Sequence, residues 1–436
     1  MSLAWDVRSG SGREALPPDW QIRRVGDLVT LSNGYPFPSE SFGPTGDIPL
    51  VRIRDLADHS FETYVTGNVP QSALLRDGDV VIGMDGDFNL VVWDRGEAAL
   101  NQRLCLLRPR ADVDMRFIAY ALPSSLKIIN DLTFATTVKH LSSTDVLTER
   151  VMLPPLEGQR CIADFLDIEI ARMDALATAE RRVLDRLAER RAAGVVSAVA
   201  GGEHVDRRKS TLAWLETVPD SWQEVRVGLL AQMGSGHTPS RSHPEWWVDC
   251  AIPWITTGEV KQVRDDRIED LYETREKISE LGLANSAAEL HRRGTVFLCR
   301  TASAGYAGVM GEDMATSQDF VTWTCGPRLN PYYLLWCLRA MRPDLLGRLA
   351  MGSTHKTIYV PDLQMLRIPL PPLDEQGRIV ESIRWQNARI DVLVDKVRRQ
   401  IDLLNERRQA LITAAVTGQF DVSTASGRNV TEGITV

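Results

Sequence analysis

The stretch from Asp374 to Gly418, which closes Glu406-Arg407-Arg408-Gln409-Ala410-Leu411-Ile412-Thr413-Ala414-Ala415-Val416-Thr417-Gly418, reads as one long helix. Its apolar residues fall at Ile383, Ile390, Val394, Val397, Ile401, Leu404, Leu411 and Ala415. Steps of three and four put such residues on one stripe, the seam along which helices pack in a coiled coil. Pro371 and Pro372 stand before the stretch and Gly418 after it, where start and stop signals belong.

The same pattern occurs 217 positions upstream, from 370 back to 153. There Leu153-Pro154-Pro155-Leu156-Glu157-Gly158-Gln159-Arg160 matches Leu370-Pro371-Pro372-Leu373-Asp374-Glu375-Gln376-Gly377. At that offset Ala171-Arg172-Met173-Asp174 falls on Ala388-Arg389-Ile390-Asp391, Glu189-Arg190-Arg191 on Glu406-Arg407-Arg408, and Gly201 on Gly418. Two long helices in register argue for a duplicated chain.

Ahead of each helix lies a globular unit with matching landmarks. Pro17-Pro18-Asp19-Trp20 opens the first and Pro219-Asp220-Ser221-Trp222 the second. Turn-rich loops follow, Ser32 to Pro36 and Gly234 to Ser240. Strand-like segments pair off as Ile48–Ile53 with Ile252–Thr257, Gly78–Ile82 with Gly294–Leu298, and Leu104–Leu107 with Phe320–Thr324. Gln102 matches Gln318 before the last of these, and short helices are expected at Arg116–Leu122 and Tyr332–Leu338. Thr137-Val138-Lys139-His140 then falls on Thr354-His355-Lys356-Thr357. The expected order is a first globular domain (1–152), a helix (153–201), a polar, basic linker (202–217), a second domain (218–369), a helix (370–420) and a tail (421–436). The first 15 residues and the tail read as loose and polar.

With 436 residues, 44% apolar and 25% charged, the composition is that of a soluble globular protein of two to four domains. No run of about 18 apolar residues offers a bilayer span, and Met1 to Gly12 lacks the order of a signal peptide. A cytoplasmic protein is expected. Cys105, Cys161, Cys250, Cys299, Cys325 and Cys337 form no Cys-x-x-Cys pair, so they are expected to be reduced core residues without zinc. The net charge of -8 runs against a general nucleic-acid affinity. Any DNA-binding surface must be local or completed by a partner. There is no phosphate-binding glycine loop, and Asn330-Pro331-Tyr332-Tyr333 lacks the second proline of the adenine methyltransferase motif. Nothing points to catalysis by this chain.

Duplicated halves, each closing on a Pro-Pro-Leu helix start, and the final Glu-Arg-Arg-Gln-Ala-Leu-Ile-Thr-Ala-Ala-Val-Thr-Gly closely resemble the specificity subunit of type I restriction-modification enzymes. The resemblance spans nearly the whole chain. It implies an α+β fold in which two duplicated mixed α/β target-recognition domains alternate with two long helices that pair as an antiparallel coiled coil. It also implies double-stranded DNA as target, read as two half-sites. Two methyltransferase subunits and the restriction (motor-nuclease) subunits would be partners. S-adenosylmethionine, ATP and Mg would belong to those partners, with no cofactor in this chain. Gly158 departs from the family's usual Glu, and Gly194 stands at the seam position of Leu411, where a helix-interior glycine costs roughly 1 kcal/mol. The first helix is therefore expected to be the weaker.

If the two domains read different half-sites, shared residues suit scaffold or phosphate contact and unshared ones suit base reading. Thr137, Lys139, Thr354 and Lys356 are shared and become phosphate candidates; Gln102 and Gln318 could bond backbone or base. The unshared candidates are Tyr35, Arg52, Arg54, Arg103 and His140 in the first domain, with Lys261, Arg264, Arg300 and His355 in the second. Ser235, His237 and Thr238 lie in a loop that backbone could bring close to phosphate. A helix of about 44 residues makes a rod of about 65 Å, able to set the spacing between half-sites. Arg181, Arg182, Arg186, Arg190, Arg398, Arg399 and Arg407 lie off the seam and suit either solvent or a partner subunit. The competing reading is a protein–protein assembly scaffold that reads no DNA.

Overall fold

The computed structural model describes residues 16–56, 60–132, 140–351 and 357–424. Two similar mixed α/β scaffolds are each followed by a 44-residue helix, Leu156–Val199 and Leu373–Val416. The chain divides into two compact units: the described residues up to Glu180 with those from Arg399 on, and Arg181–Arg398. Each unit holds one scaffold, the start of the helix that follows it and the end of the other helix.

In the first scaffold the strands Val29–Asn33, Leu104–Pro109, Val80–Gly83 and Leu90–Val92 lie side by side, all antiparallel. In the second, Ala231–Ser235, Phe320–Cys325, Val296–Cys299 and Ala307–Met310 repeat that order, and Asp270–Leu271 extends the edge. The central strands, Val80-Val81-Ile82-Gly83 and Val296-Phe297-Leu298-Cys299, are buried throughout, as strands covered on both faces must be. A parallel pair accompanies each sheet, Ile48–Val51 with Ala98–Leu100 and Ile252–Ile255 with Ala315–Thr316. The two expected short helices are Met115–Leu132 and Pro331–Ala340. The first runs ten residues beyond its expected end, from 122 to 132, with Pro123 inside it.

The seam is present in both units. In the first, Ile162, Leu166, Ile170 and Met173 share a core with Leu411, Ala415 and Val416. In the second, Val195 and Val199 share one with Val380 and Ile383. Helix start thus meets helix end in each unit, which is antiparallel pairing. The flanking ion pairs obey the same symmetry: Asp174 meets Arg408 at 3.7 Å in the first unit, and Arg191 meets Asp391 in the second. Asp391 is the repeat counterpart of Asp174, and Arg408 that of Arg191.

Each helix start is fastened by a buried glutamine. Gln159 accepts from the Asp114 amide at 2.9 Å and donates to the Pro154 carbonyl at 2.9 Å. Gln376 accepts from the Asn330 amide at 2.8 Å and donates to the carbonyls of Arg328 and Pro371, both at 3.0 Å. Helix ends are closed by Gly201 and Gly418, whose φ values of 68° and 75° are the left-handed conformation of a helix stop. A Cβ on Gly201 would lie 2.6 Å from Pro219 and 2.8 Å from Trp222, and one on Gly418 2.8 Å from Pro17. The repeated Pro/Trp openings of the scaffolds therefore close over the helix-end glycines.

Two expectations need correction. Cys105, Cys299 and Cys337 are buried, but Cys161 is exposed on the outer face of the first helix, and Cys250 and Cys325 are half-buried. The connector between the halves carries structure of its own: Arg207–Lys209 pairs with Thr217–Pro219, over a small core of Ala200, Leu212, Leu215 and Val218. Residues 1–15 and 425–436 lie outside the described residues.

Replacing Gln376 by Leu leaves the Asn330 amide and two carbonyls without their partner. At about 1–3 kcal/mol per stranded group, three stranded groups give an expected loss of at least about 3 kcal/mol, read as a lower urea midpoint of the chain; an unchanged midpoint would refute the fastening role. Gly194→Ala should act the other way. The helix runs through Gly194 unbroken, and the new Cβ meets only the amide oxygen at the end of the Gln386 side chain, at 3.2 Å. A gain of up to about 1 kcal/mol is expected, measured in the same unfolding experiment.

Candidate nucleic-acid interface

Three segments meet at one edge of each scaffold, and the backbone that joins them is the same in both. In the first, the loop after Val29–Asn33 approaches so closely that a Cβ on Gly34 would lie 2.0 Å from the Asn101 carbonyl oxygen, so only glycine fits. The Tyr35 amide donates to the Leu100 carbonyl at 2.8 Å. Asn101, Gln102 and Arg103 form a turn closed by Leu104 N donating to Asn101 O at 3.0 Å. The third segment is Met84-Asp85: Met84 N donates to Arg103 O at 2.9 Å, Leu141 N donates to Met84 O at 2.7 Å, and Asp85 bridges His140.

The second scaffold repeats each bond with other residues. A Cβ on Gly236 would lie 2.1 Å from Thr316 Oγ1, and His237 N donates to Thr316 O at 3.0 Å. Phe320 N closes the turn onto Ser317 O at 3.2 Å. Arg300 N donates to Asp319 O and Ile358 N to Arg300 O, both at 2.8 Å, and Thr301 bridges Thr357.

The side chains on this common frame differ. In the first scaffold the Asp85 carboxylate, 12% exposed, accepts from Arg103 Nη1 at 2.6 Å and meets His140 Nδ1 at 2.7 Å. Arg103 and His140 are 60% and 63% exposed. Burial opposes ionisation of Asp85, yet the hydrogen bonds from His140 and Arg103 prevail and hold it below the usual carboxylate range. At the matching place in the second scaffold, Arg300 Nε donates to the Gln318 carbonyl at 3.1 Å and Thr238 Oγ1 to Gln318 Oε1 at 2.5 Å. Ser317 Oγ donates to Asp319 at 3.2 Å. One edge is a fixed ion cluster, the other a set of hydroxyl and amide side chains with the Asp319 carboxylate and one tethered arginine.

The frame gathers Tyr35, Gln102, Arg103 and His140 in the first unit, and His237, Thr238, Arg300 and Gln318 in the second; Ser235 is exposed at the strand end just before Gly236. Other candidates are occupied elsewhere. Arg52 Nε donates to Asp55 at 3.1 Å, and Arg54 lies 3.7 Å from both Asp55 and Glu62, which fastens a local turn. Arg264 lies over the Tyr306 ring at 5.4 Å, and Lys261 is exposed on the short helix Val260–Val263. Thr137, Lys139, Thr354, His355 and Lys356 lie outside the described residues. Asp85, Asn101 and Asp319 were missed. Asp85 aligns with Thr301 in the repeat, and that mismatch of charge was the available signal.

On the long helices Arg181, Arg182, Arg186, Arg190, Arg398 and Arg399 are exposed and Arg407 is half-buried. A second feature was not read from the sequence. Ile168 and Leu176 are 55% and 49% exposed, and their repeat counterparts Trp385 and Leu393 are 62% and 47% exposed. Between them lie Arg172 and Arg389, the latter 4.6 Å over the Trp385 ring. Each helix thus presents an apolar–arginine–apolar stripe at i, i+4 and i+8 on its outer face. Among the described residues no group of His, Cys, Asp and Glu is placed to hold a metal ion.

The family model described as "Type I restriction modification DNA specificity domain" matches residues 17–184 and again 219–386. The EcoBI specificity subunit of Escherichia coli is 26% identical over 422 residues, covering 94% of this chain and 88% of that protein. The EcoKI specificity subunit of Escherichia coli (strain K12) is 23% identical, covering 93% and 90%. A solved structure reported as "Structural basis underlying complex assembly and conformational transition of the type I R-M system" has the same fold, with a TM-score of 0.65 at 21% identity, covering 93% of this chain and 99% of that one. Matched by the family model over most of its length, the chain belongs to the type I restriction-modification DNA specificity family and carries two copies of its domain.

Proposed function

We propose that this chain is the non-catalytic specificity subunit of a type I restriction-modification complex, reading a bipartite double-stranded DNA target with one half-site per scaffold. One observation carries the reading: the two scaffolds share the backbone of their three-segment edge and differ in the side chains presented on it. A common frame with different exposed donors and acceptors suits two domains that do one task on two base sequences.

The outer stripes extend the proposal to partners. Each helix offers the same stripe, so the same partner docks twice, and two methyltransferase subunits fit that count. Restriction subunits would join through them. S-adenosylmethionine, ATP and Mg are assigned to those partners, and the complex to the cytoplasm, where its DNA lies. Among the described residues no helix is long and apolar enough to cross a membrane, which is compatible with that placement.

The test is to map methylated adenines by single-molecule sequencing of DNA from cells that co-express the chain with its methyltransferase. Two short half-sites around a fixed gap are expected; a contiguous motif would overturn the one-domain-per-half-site reading. Binding of the assembled complex should also weaken steeply with salt, the log–log slope being about -0.9 per phosphate contacted. A slope near zero with no sequence preference would favour the assembly scaffold instead.

A further inference from the structure

We propose that Asp85, Arg103 and His140 form a base-reading cluster of the first scaffold, in which the nearly buried Asp85 is a positioning residue that holds Arg103 toward a guanine. The inference rests on the proposed reading of DNA by this edge and names the residues and the base class.

Its first support is that the second scaffold closes the same frame without such a cluster. The backbone bridge that Asp85 makes to His140 is made in the second scaffold by Thr301 and Thr357, with no ion pair. The turn that carries Arg103 is likewise closed in the second scaffold around Asp319. The charges are therefore an addition to a frame that closes without them.

The second support is geometric. The carboxylate sits beneath two side chains that are each about 60% exposed, and it engages one with each oxygen. The Arg103 guanidinium is held through Nη1 alone and the His140 ring through Nδ1 alone, with no further hydrogen bond to either group among the described residues. The remaining N–H groups of the guanidinium and the second ring nitrogen of His140 are left for a ligand. Arginine presents donors only, and two parallel donors match the O6 and N7 acceptors of guanine in the major groove. Holding the arginine in place before DNA arrives removes much of the rotamer entropy that a free side chain loses on binding. The third support is divergence: the matching residues Thr301, Asp319 and Thr357 carry neither the guanidinium nor the imidazole, as a different half-site requires.

The experiment is methylation mapping of the full chain with its methyltransferase, comparing wild type with Arg103→Ala, Arg103→Lys and Asp85→Asn. At about 1–3 kcal/mol per bidentate pair, Arg103→Ala should lower guanine preference at one position of one half-site by roughly 5- to 150-fold. The other half-site and the gap should be unchanged. Arg103→Lys, which preserves charge but not the fork, should relax the same position. Asp85→Asn should relax that position to a smaller degree, an effect that a merely structural role would not confine to one base pair. Unchanged motifs in all three variants overturn the proposal, as does uniform loss of methylation in variants whose complexes assemble and melt like wild type. If the wild-type motif itself is not bipartite, the proposed function fails instead, and the two failures are distinct.

Discussion

A single amide side chain at the first turn of each long helix sets where its scaffold can sit. Glutamine carries a donor and an acceptor on one rigid plane, so it can bond a backbone N–H and a backbone C=O together. Gln159 and Gln376 do this between the helix start and the residue that opens the scaffold helix Met115–Leu132 or Pro331–Ala340, at Asp114 and Asn330. Buried in the protein, these bonds cannot be exchanged for water, and any rotation of scaffold against helix breaks them. A glutamate would offer acceptors only and a leucine neither group. The chemistry of one side chain thus explains why the Pro-Pro-Leu-x-x-Gln start recurs in both halves.

Around these fixed points the molecule separates what must be constant from what must differ. The seam, the helix-end glycines beneath Pro17 and Pro219, and the glycines at 34 and 236 are steric necessities, and they repeat. The side chains on the three-segment edge meet no such constraint, and they do not repeat. The acidic overall balance is compatible with this arrangement because a number of acids near the scaffolds serve as local partners for arginines. Asp85, Asp55, Asp266 and Glu269 each engage at least one arginine.

The long helices, the duplication and the strand order were legible because they are periodic or local: apolar steps of three and four, buried runs such as Val80-Val81-Ile82, and landmarks at constant offset. The sites were legible only in part. Arg103 and His140 could be singled out as unshared, but Asp85 lies far from both in sequence and joins them through an isolated bridge that leaves no pattern along the chain. Arg52 and Arg54 resembled them until their partner Asp55 was seen beside them. The exposed stripes escaped notice because Ile168, Leu176, Trp385 and Leu393 look like core residues in composition, and only burial distinguishes them. Gln376 and Asn387 occupy seam positions that an apolar count passes over, both being buried.

At one matching helix position the scaffold-to-helix contact changes sign between the two halves, although Arg267 of the second scaffold also reaches Asp391 and Asp395 on its helix. In the first, Arg116 on the scaffold reaches Asp164 and Asp167 on the helix, each at 2.8 Å, and Tyr120 donates to Asp167. In the second, Glu269 on the scaffold reaches Arg384 on the helix at 2.6 Å, and Arg384 is the repeat counterpart of Asp167. Were the scaffolds exchanged, Arg116 would face Arg384 and Glu269 would face Asp167, like against like in both places. Two modules descended from one ancestor therefore carry keyed sockets. A half brought in by recombination without the matching charge would set like against like at that one helix position.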